Sequence, residues 1–180
     1  MSTVLEHKIS NFTSAVEKSI ESENWHSALA LALALPDICG NLQDPESSSS
    51  RKYISFFNDF LREKYTRKIG ASEEEYEFLN GKDMYALRCS FLHAGEVGIS
   101  KQRIKSILDG YIFLKPDKFR KIFVHMNQID DKLQLQIDAF CREIIEGVNA
   151  WVKAYLNVQE IQNRAELMID IIDPSNGFRI

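Results

Sequence analysis

The chemistry most visible in this sequence rests on two side chains in one short segment. Arg88 and His93 stand in the run Tyr85-Ala86-Leu87-Arg88-Cys89-Ser90-Phe91-Leu92-His93-Ala94-Gly95. A guanidinium can grip a phosphate through two N–H groups at once, and an imidazole can move a proton near neutral pH. On a helix, a five-residue separation puts the two about 140° apart. They then flank a stripe of Tyr85, Cys89 and Leu92, with Met84, Leu87 and Phe91 on the opposite face. A helix apolar on both faces is expected to lie deep in a bundle, where an arginine is costly unless it meets an anion. An Arg and a His looking into one groove suit phosphate chemistry. A plainer reading stays open beside it. Arg88 can pair with Asp37 or Asp83, and His93, in the last turn, can cap the helix C-terminus.

Other constellations are thin. Cys89 and His93 are four residues apart and could form half a metal site, but no second cluster of Cys or His has ligand spacing. Cys39, Cys89 and Cys141 therefore read as buried small hydrophobes in a reducing cytosol. His7, His26 and His125 lack motif partners, and Trp25, Phe56, Phe57, Phe140 and Trp151 fall at helical spacings that suit a core. There is no Gly-rich phosphate loop, serine elbow or carboxylate-rich metal motif.

The elements that must hold Arg88 and His93 follow from periodicity and punctuation. Val4, Leu5, Ile9, Phe12, Val16 and Ile20 mark an amphipathic first helix. Asn24 caps a second that starts at Trp25 and should stop near Pro36. Residues 40–50, with Gly40, Pro45 and four serines, read as a flexible surface loop. Tyr53, Phe56, Phe57, Phe60 and Leu61 line a third helix, and Glu73-Glu74-Glu75 reads as a solvated helix start. Asn80-Gly81 marks a turn, with Asp83 placed to cap the fourth helix, which ends at Gly95. Beyond it, 111–114, 122–124 and 133–137 have strand texture, and Gln128 to Asp131 can turn two of them into a hairpin. Asp138 caps a long fifth helix through Leu156, and a sixth covers about Val158 to Ile172 before Pro174. The expected fold is mainly α: an up-and-down bundle of five to six helices. A small β insertion falls between about 103 and 137, and 174–180 form a tail, all within one domain over 1–180.

The chain has 180 residues, 22 Lys and Arg against 26 Asp and Glu, and a net charge of −4. That argues against a non-specific nucleic-acid coat protein. Cations nevertheless collect in two blocks: six against two anions over 51–68, and seven against two over 101–121. If they flank the central segment in space, they could hold an anionic polymer; otherwise they are two solvated faces. The longest apolar run, Ala28 to Leu35, is far shorter than the ~20 residues a membrane crossing needs. No secretory signal is visible at the start, and a cytoplasmic protein is expected.

Arg88-x4-His93 in an apolar helix of a small bundle resembles the HEPN superfamily, whose signature is Arg-x4-6-His. The segments Trp25 to Gly40, Asp83 to Gly95 and Phe140 to Trp151 carry the resemblance; the β insertion lies outside it. The family pattern is usually polar after the arginine, where this chain has Cys89, and some members carry a Tyr at the position of Gly95. The resemblance implies a metal-independent endoribonuclease, often a toxin or anti-phage effector, with Arg88 and His93 catalytic and no cofactor. Tyr85 and Ser90 are the substrate-binding candidates. It also implies RNA as substrate, a homodimer with a composite site, and an antitoxin or other regulatory protein as partner. Some HEPN domains instead only bind RNA, nucleotide or another protein, and that alternative applies equally here.

Overall fold

The computed structural model describes residues 3–172. Thr3 opens the first helix, α1 (Val4–Glu21), through a capping box: its side chain accepts from the Glu6 N–H, and the Glu6 carboxylate accepts from the Thr3 N–H. α2 (Trp25–Gln43) follows, then α3 (Ser49–Phe60) and a 3-10 turn over Arg62–Tyr65. A two-stranded antiparallel hairpin, β1 (Thr66–Ile69) and β2 (Glu74–Glu77), precedes α4 (Gly81–Ala94). Three further strands are β3 (Gly110–Leu114), β4 (Asn127–Ile129) and β5 (Lys132–Gln136), then come α5 (Ile137–Tyr155) and α6 (Gln159–Glu166). The fold is mainly α with a small β insertion.

α2 is the centre of the bundle and touches all five other helices. Ala28, Leu29, Ala32, Leu33, Leu35, Pro36 and Cys39 are all buried along it. This packing explains why the helix does not stop near Pro36, as expected, but continues for seven residues beyond it. Proline in a helix interior costs about 3 kcal/mol, yet a helix enclosed on several sides gains more from burying its apolar side chains than it loses there. The loop expected over 40–50 shrinks accordingly to 44–48, between α2 and α3. Gly40 lets α3 approach closely, since a Cβ there would sit 2.8 Å from Lys52 Cβ.

The β segments also differ in detail. Tyr111 to Leu114 and Leu133 to Gln136 are strands, but they pair with each other, in parallel, at the register Tyr111↔Leu133. The hairpin turn expected at Gln128 to Asp131 joins β4 to β5, with Asp130 in the left-handed region. Ile122-Phe123-Val124 forms no strand and leaves Ile122 and Phe123 exposed. Glu73-Glu74-Glu75 starts no helix: Glu73 turns the β1–β2 hairpin, and Lys68 faces Glu75 across it. Opposite charges directly across a strand pair stabilise such a short exposed hairpin.

Helix ends were mostly marked by different residues from those expected. Asn80 caps α4, accepting the N–H groups of Lys82 and Asp83 at 3.0 Å each. Asp83, fully buried, instead accepts the backbone N–H groups of Ser106, Ile107 and Leu108 and so ties the 99–109 segment to α4. Gly95 ends α4 in the left-handed conformation that glycine adopts without strain. α5 is preceded by Gln136, two residues before Asp138. α6 stops at Glu166, well short of 172. The chain after it is held by the buried Lys8 ammonium, which donates to the Met168 carbonyl at 2.8 Å and pairs with Asp170. Pro174 and the 174–180 tail lie outside the described residues.

Candidate functional site

α4 presents its sides unequally. Met84, Ala86, Leu87 and Ser90 are buried, Tyr85, Arg88 and Cys89 are half-buried, and Leu92, His93 and Ala94 are exposed. The helix therefore does not lie deep along its whole length. Its last turn emerges from the bundle, because only one face packs on α3 and α2. The Tyr85–Cys89–Leu92 stripe is the side that solvent reaches.

Arg88 binds Asp37, one of the two carboxylates its pairing alternatives named. Its Nε lies 2.6 Å from Asp37 Oδ2, with both side chains 21% exposed. Asp37 stands one residue after Pro36, so the unbroken passage of α2 through that proline is what brings the carboxylate opposite α4. Tyr53 of α3 props the junction, its hydroxyl donating to the Leu33 carbonyl and its ring edge-on to Tyr85 at 5.5 Å. With Nε engaged by Asp37, Nη1 of Arg88 lies against its own helix. Nη1 lies 3.4 Å from His93 Nε2 and 4.0 Å from Cys89 Sγ. Among the described residues, Nη2 has no hydrogen-bond partner.

The 140° between Arg88 and His93 around the helix is thus spanned by the length of the arginine. A guanidinium offers only hydrogens, so the contact with Nε2 requires an imidazole with that nitrogen unprotonated. Burial pushes the Asp37 carboxyl above its usual range, against the downward pull of Arg88 and, further off, Lys52. Burial works against the Arg88 charge as well, but there the Asp37 carboxylate and Cys89 together outweigh it, and the guanidinium is held more firmly protonated. The Tyr85 hydroxyl is raised by burial and by its neighbour Cys89.

The other candidates separate. Tyr85 stays beside the dyad. Ser90 does not: it turns inward and donates to the Gly98 carbonyl at 2.7 Å, which anchors the chain leaving α4. Cys39 and Cys141 are buried and burial raises both thiols, whereas Cys89 is half-buried against Arg88. The His125 side chain is enclosed too, its Nδ1 accepting the Gln136 N–H and its Nε2 facing Glu143 at 3.0 Å. Among the described residues, no group of three or more His, Cys, Asp or Glu is arranged to hold a metal ion. No described helix is long and apolar enough to cross a membrane.

Sequence periodicity gave no sign of the groove beside Asp37. An open depression of about 320 Å³, lined by Phe12, Asp37, Ile38, Asn41, Leu42 and Ile169 among others, is assembled from α1, α2 and the chain after α6. Of the first basic block, Arg62, Lys64 and Lys68 are tied to Glu77, Glu146 and Glu73. Lys52 reaches Asn41, one turn from Asp37, and is the cation of that block whose charge acts on the Asp37 carboxyl. No protein-family model, curated protein or solved structure matches this chain.

Proposed function

We propose that this chain is a metal-independent endoribonuclease of the HEPN kind, acting through Arg88 and His93. The observation that carries the reading is the meeting of Arg88 Nη1 with His93 Nε2, 3.4 Å apart on the turn of α4 that faces solvent. A phosphodiester entering there takes two oxygens onto Nη1 and Nη2, which draws Nη1 off the imidazole and leaves His93 Nε2 free as a base. His93 takes the proton of the ribose 2′-OH as that oxygen attacks phosphorus. The P–O2′ bond forms and the P–O5′ bond breaks. The departing O5′ takes a proton from water, and the products are a 2′,3′-cyclic phosphate and a 5′-OH. Arg88 offsets the charge that builds on the phosphoryl oxygens. Asp37 is a positioning residue, fixing Nε so that the fork faces outward.

Leu92 beside His93 and Ile169 in the groove at Asp37 leave apolar surface exposed next to the dyad. An isologous dimer burying that surface would bring two dyads together, and an antitoxin or regulatory protein covering it would silence them.

One observation favours a second reading. Asp37 already occupies one edge of Arg88, so the pair could serve a module that binds RNA, nucleotide or protein without cutting. The two are separated by incubating purified wild type, Arg88→Ala and His93→Ala with total RNA in EDTA. The nuclease reading expects cleavage with cyclic-phosphate ends from wild type alone. The binding reading expects intact RNA from all three, with His93→Ala binding as well as wild type.

A further inference from the structure

The second basic block resolves into a feature that the dyad does not use. Between β3 and His125, the chain runs Lys115-Pro116-Asp117-Lys118-Phe119-Arg120-Lys121-Ile122-Phe123. Phe119 is 96% exposed, Phe123 65% and Ile122 52%. Four cations, all exposed, lie among them against one anion, in a chain whose net charge is −4. That anion is engaged by its own loop, for Asp117 Oδ1 accepts the N–H groups of Phe119 and Arg120 at 2.9 Å. Lys118 pairs with Glu23, while Arg120 and Lys121 have no ion-pair partner among the described residues.

These rings are not exposed because the segment is loosely attached. β3 fixes one end by its parallel pairing with β5. His125 fixes the other, with Phe123 packed on its ring at 5.7 Å. Asp117 and Lys118 hold the middle. Exposed aromatic faces interleaved with cations, on a loop tied at both ends, are the features of a platform on which unstacked bases lie while the backbone phosphates meet the cations. A duplex keeps its bases stacked on one another and offers no free faces. A lipid surface fits less well, since Arg120 and Lys121 stand between the two rings, and sinking both rings into hydrocarbon would pull those charges below the headgroups.

We infer that the 115–123 loop is a docking site for single-stranded RNA, separate from the dyad and tolerant of sequence. The choice of RNA as the polyanion rests on the proposed nuclease function; the stacking site itself is a binding property that cleavage does not test. The probe is a fluorescein-labelled 2′-O-methyl oligouridine of twelve nucleotides, which lacks the 2′-OH and cannot be cut. Full-length wild type should raise its anisotropy, and Phe119→Ala/Phe123→Ala should bind at least about tenfold more weakly. Arg120→Ala/Lys121→Ala should weaken binding and flatten its salt dependence. Lys153→Ala, an exposed cation on α5, should bind as wild type. Both rings are exposed, so circular dichroism should find the double variants folded. Wild-type affinity in the Phe119→Ala/Phe123→Ala variant overturns the proposal, as does preference for an RNA duplex or for phosphatidylserine vesicles over the oligonucleotide. Loss of loop-dependent binding with cleavage intact would remove this site alone. Loop-dependent binding without cleavage would remove the nuclease reading alone.

Discussion

Arg88 Nε and Asp37 Oδ2 lie 2.6 Å apart although 51 positions separate them in the chain. This one contact ties α4 to α2 and sets the direction of the guanidinium. It also gives Asp37 a role that does not depend on its charge alone, because any oxygen at that place can accept from Nε.

That distinction predicts a split between two variants. Asp37→Asn keeps an acceptor oxygen and should cleave RNA within a few-fold of wild type. Asp37→Ala releases the guanidinium and should lose about tenfold or more, the usual cost of a mispositioned catalytic group. Steady-state cleavage of one defined RNA, with kcat and KM read separately, checks the split. Equal losses in both variants would mean that the carboxylate's charge matters more than its grip.

The same pair makes a pH-dependent prediction. Burial raises the Asp37 carboxyl above its ordinary 3.8, so the folded chain holds that proton more tightly than the unfolded chain does. The group's contribution to stability is therefore full below 3.8 and is lost as the pH rises through its raised value. Arg88 stays charged throughout and adds no slope of its own. Urea unfolding of wild type beside Asp37→Asn, in steps from about pH 3 upward, should show the wild-type advantage shrinking with pH. An advantage that grows instead would show the attraction of Arg88 outweighing burial.

Asp83 carries structural weight of a different kind. Its buried carboxylate accepts from three consecutive backbone N–H groups and from Asn80 Nδ2. Asp83→Ala strands those donors and should cost about 2–4 kcal/mol by chemical unfolding, since unpaired buried groups are expensive. It should also loosen residues 99–109, visible as faster amide exchange there. Unchanged exchange would mean that the β insertion is held in place by its own packing.

Gly40 sits where α2 and α3 touch, and a Cβ there would lie only 2.8 Å from Lys52 Cβ. Gly40→Ala should destabilise the fold by about 1–2 kcal/mol, because overpacking outweighs the better helix propensity of alanine. Thermal unfolding reads this directly, and a higher Tm would show that the two helices can part without cost.

How much of this was legible in the sequence depended on whether the signal was local. Asn80-Gly81 and Gly95 bracketed α4 because turn and cap chemistry act over a few residues. The spacing of Arg88 and His93 put them on one helix for the same reason. Pro36 misled, because its local penalty is overridden by burial on a helix that meets all five others. The parallel pairing of Tyr111 with Leu133 is a contact between segments that no short-range pattern encodes. β1 and β2 escaped notice because their exposed, charged residues follow no apolar alternation. Ser90 was a substrate-binding candidate, but its place on the helix turns it to the buried side, where it donates to the Gly98 carbonyl. The Asp37 pairing was one of two alternatives, and the placement of Asp83 at 106–108 decides between them.

His93 is the residue on which the account most depends, and it is exposed, so its removal should not disturb folding. The decisive measurement is single-turnover cleavage of a defined single-stranded RNA in EDTA by wild type and His93→Ala, each with and without added imidazole. The account predicts cleavage by wild type to a 2′,3′-cyclic phosphate and a loss of about 10²-fold or more in His93→Ala, the range of one general base. Free imidazole should restore part of that loss. Folded wild type that leaves the RNA intact, or His93→Ala that cuts it at the wild-type rate, would contradict the account.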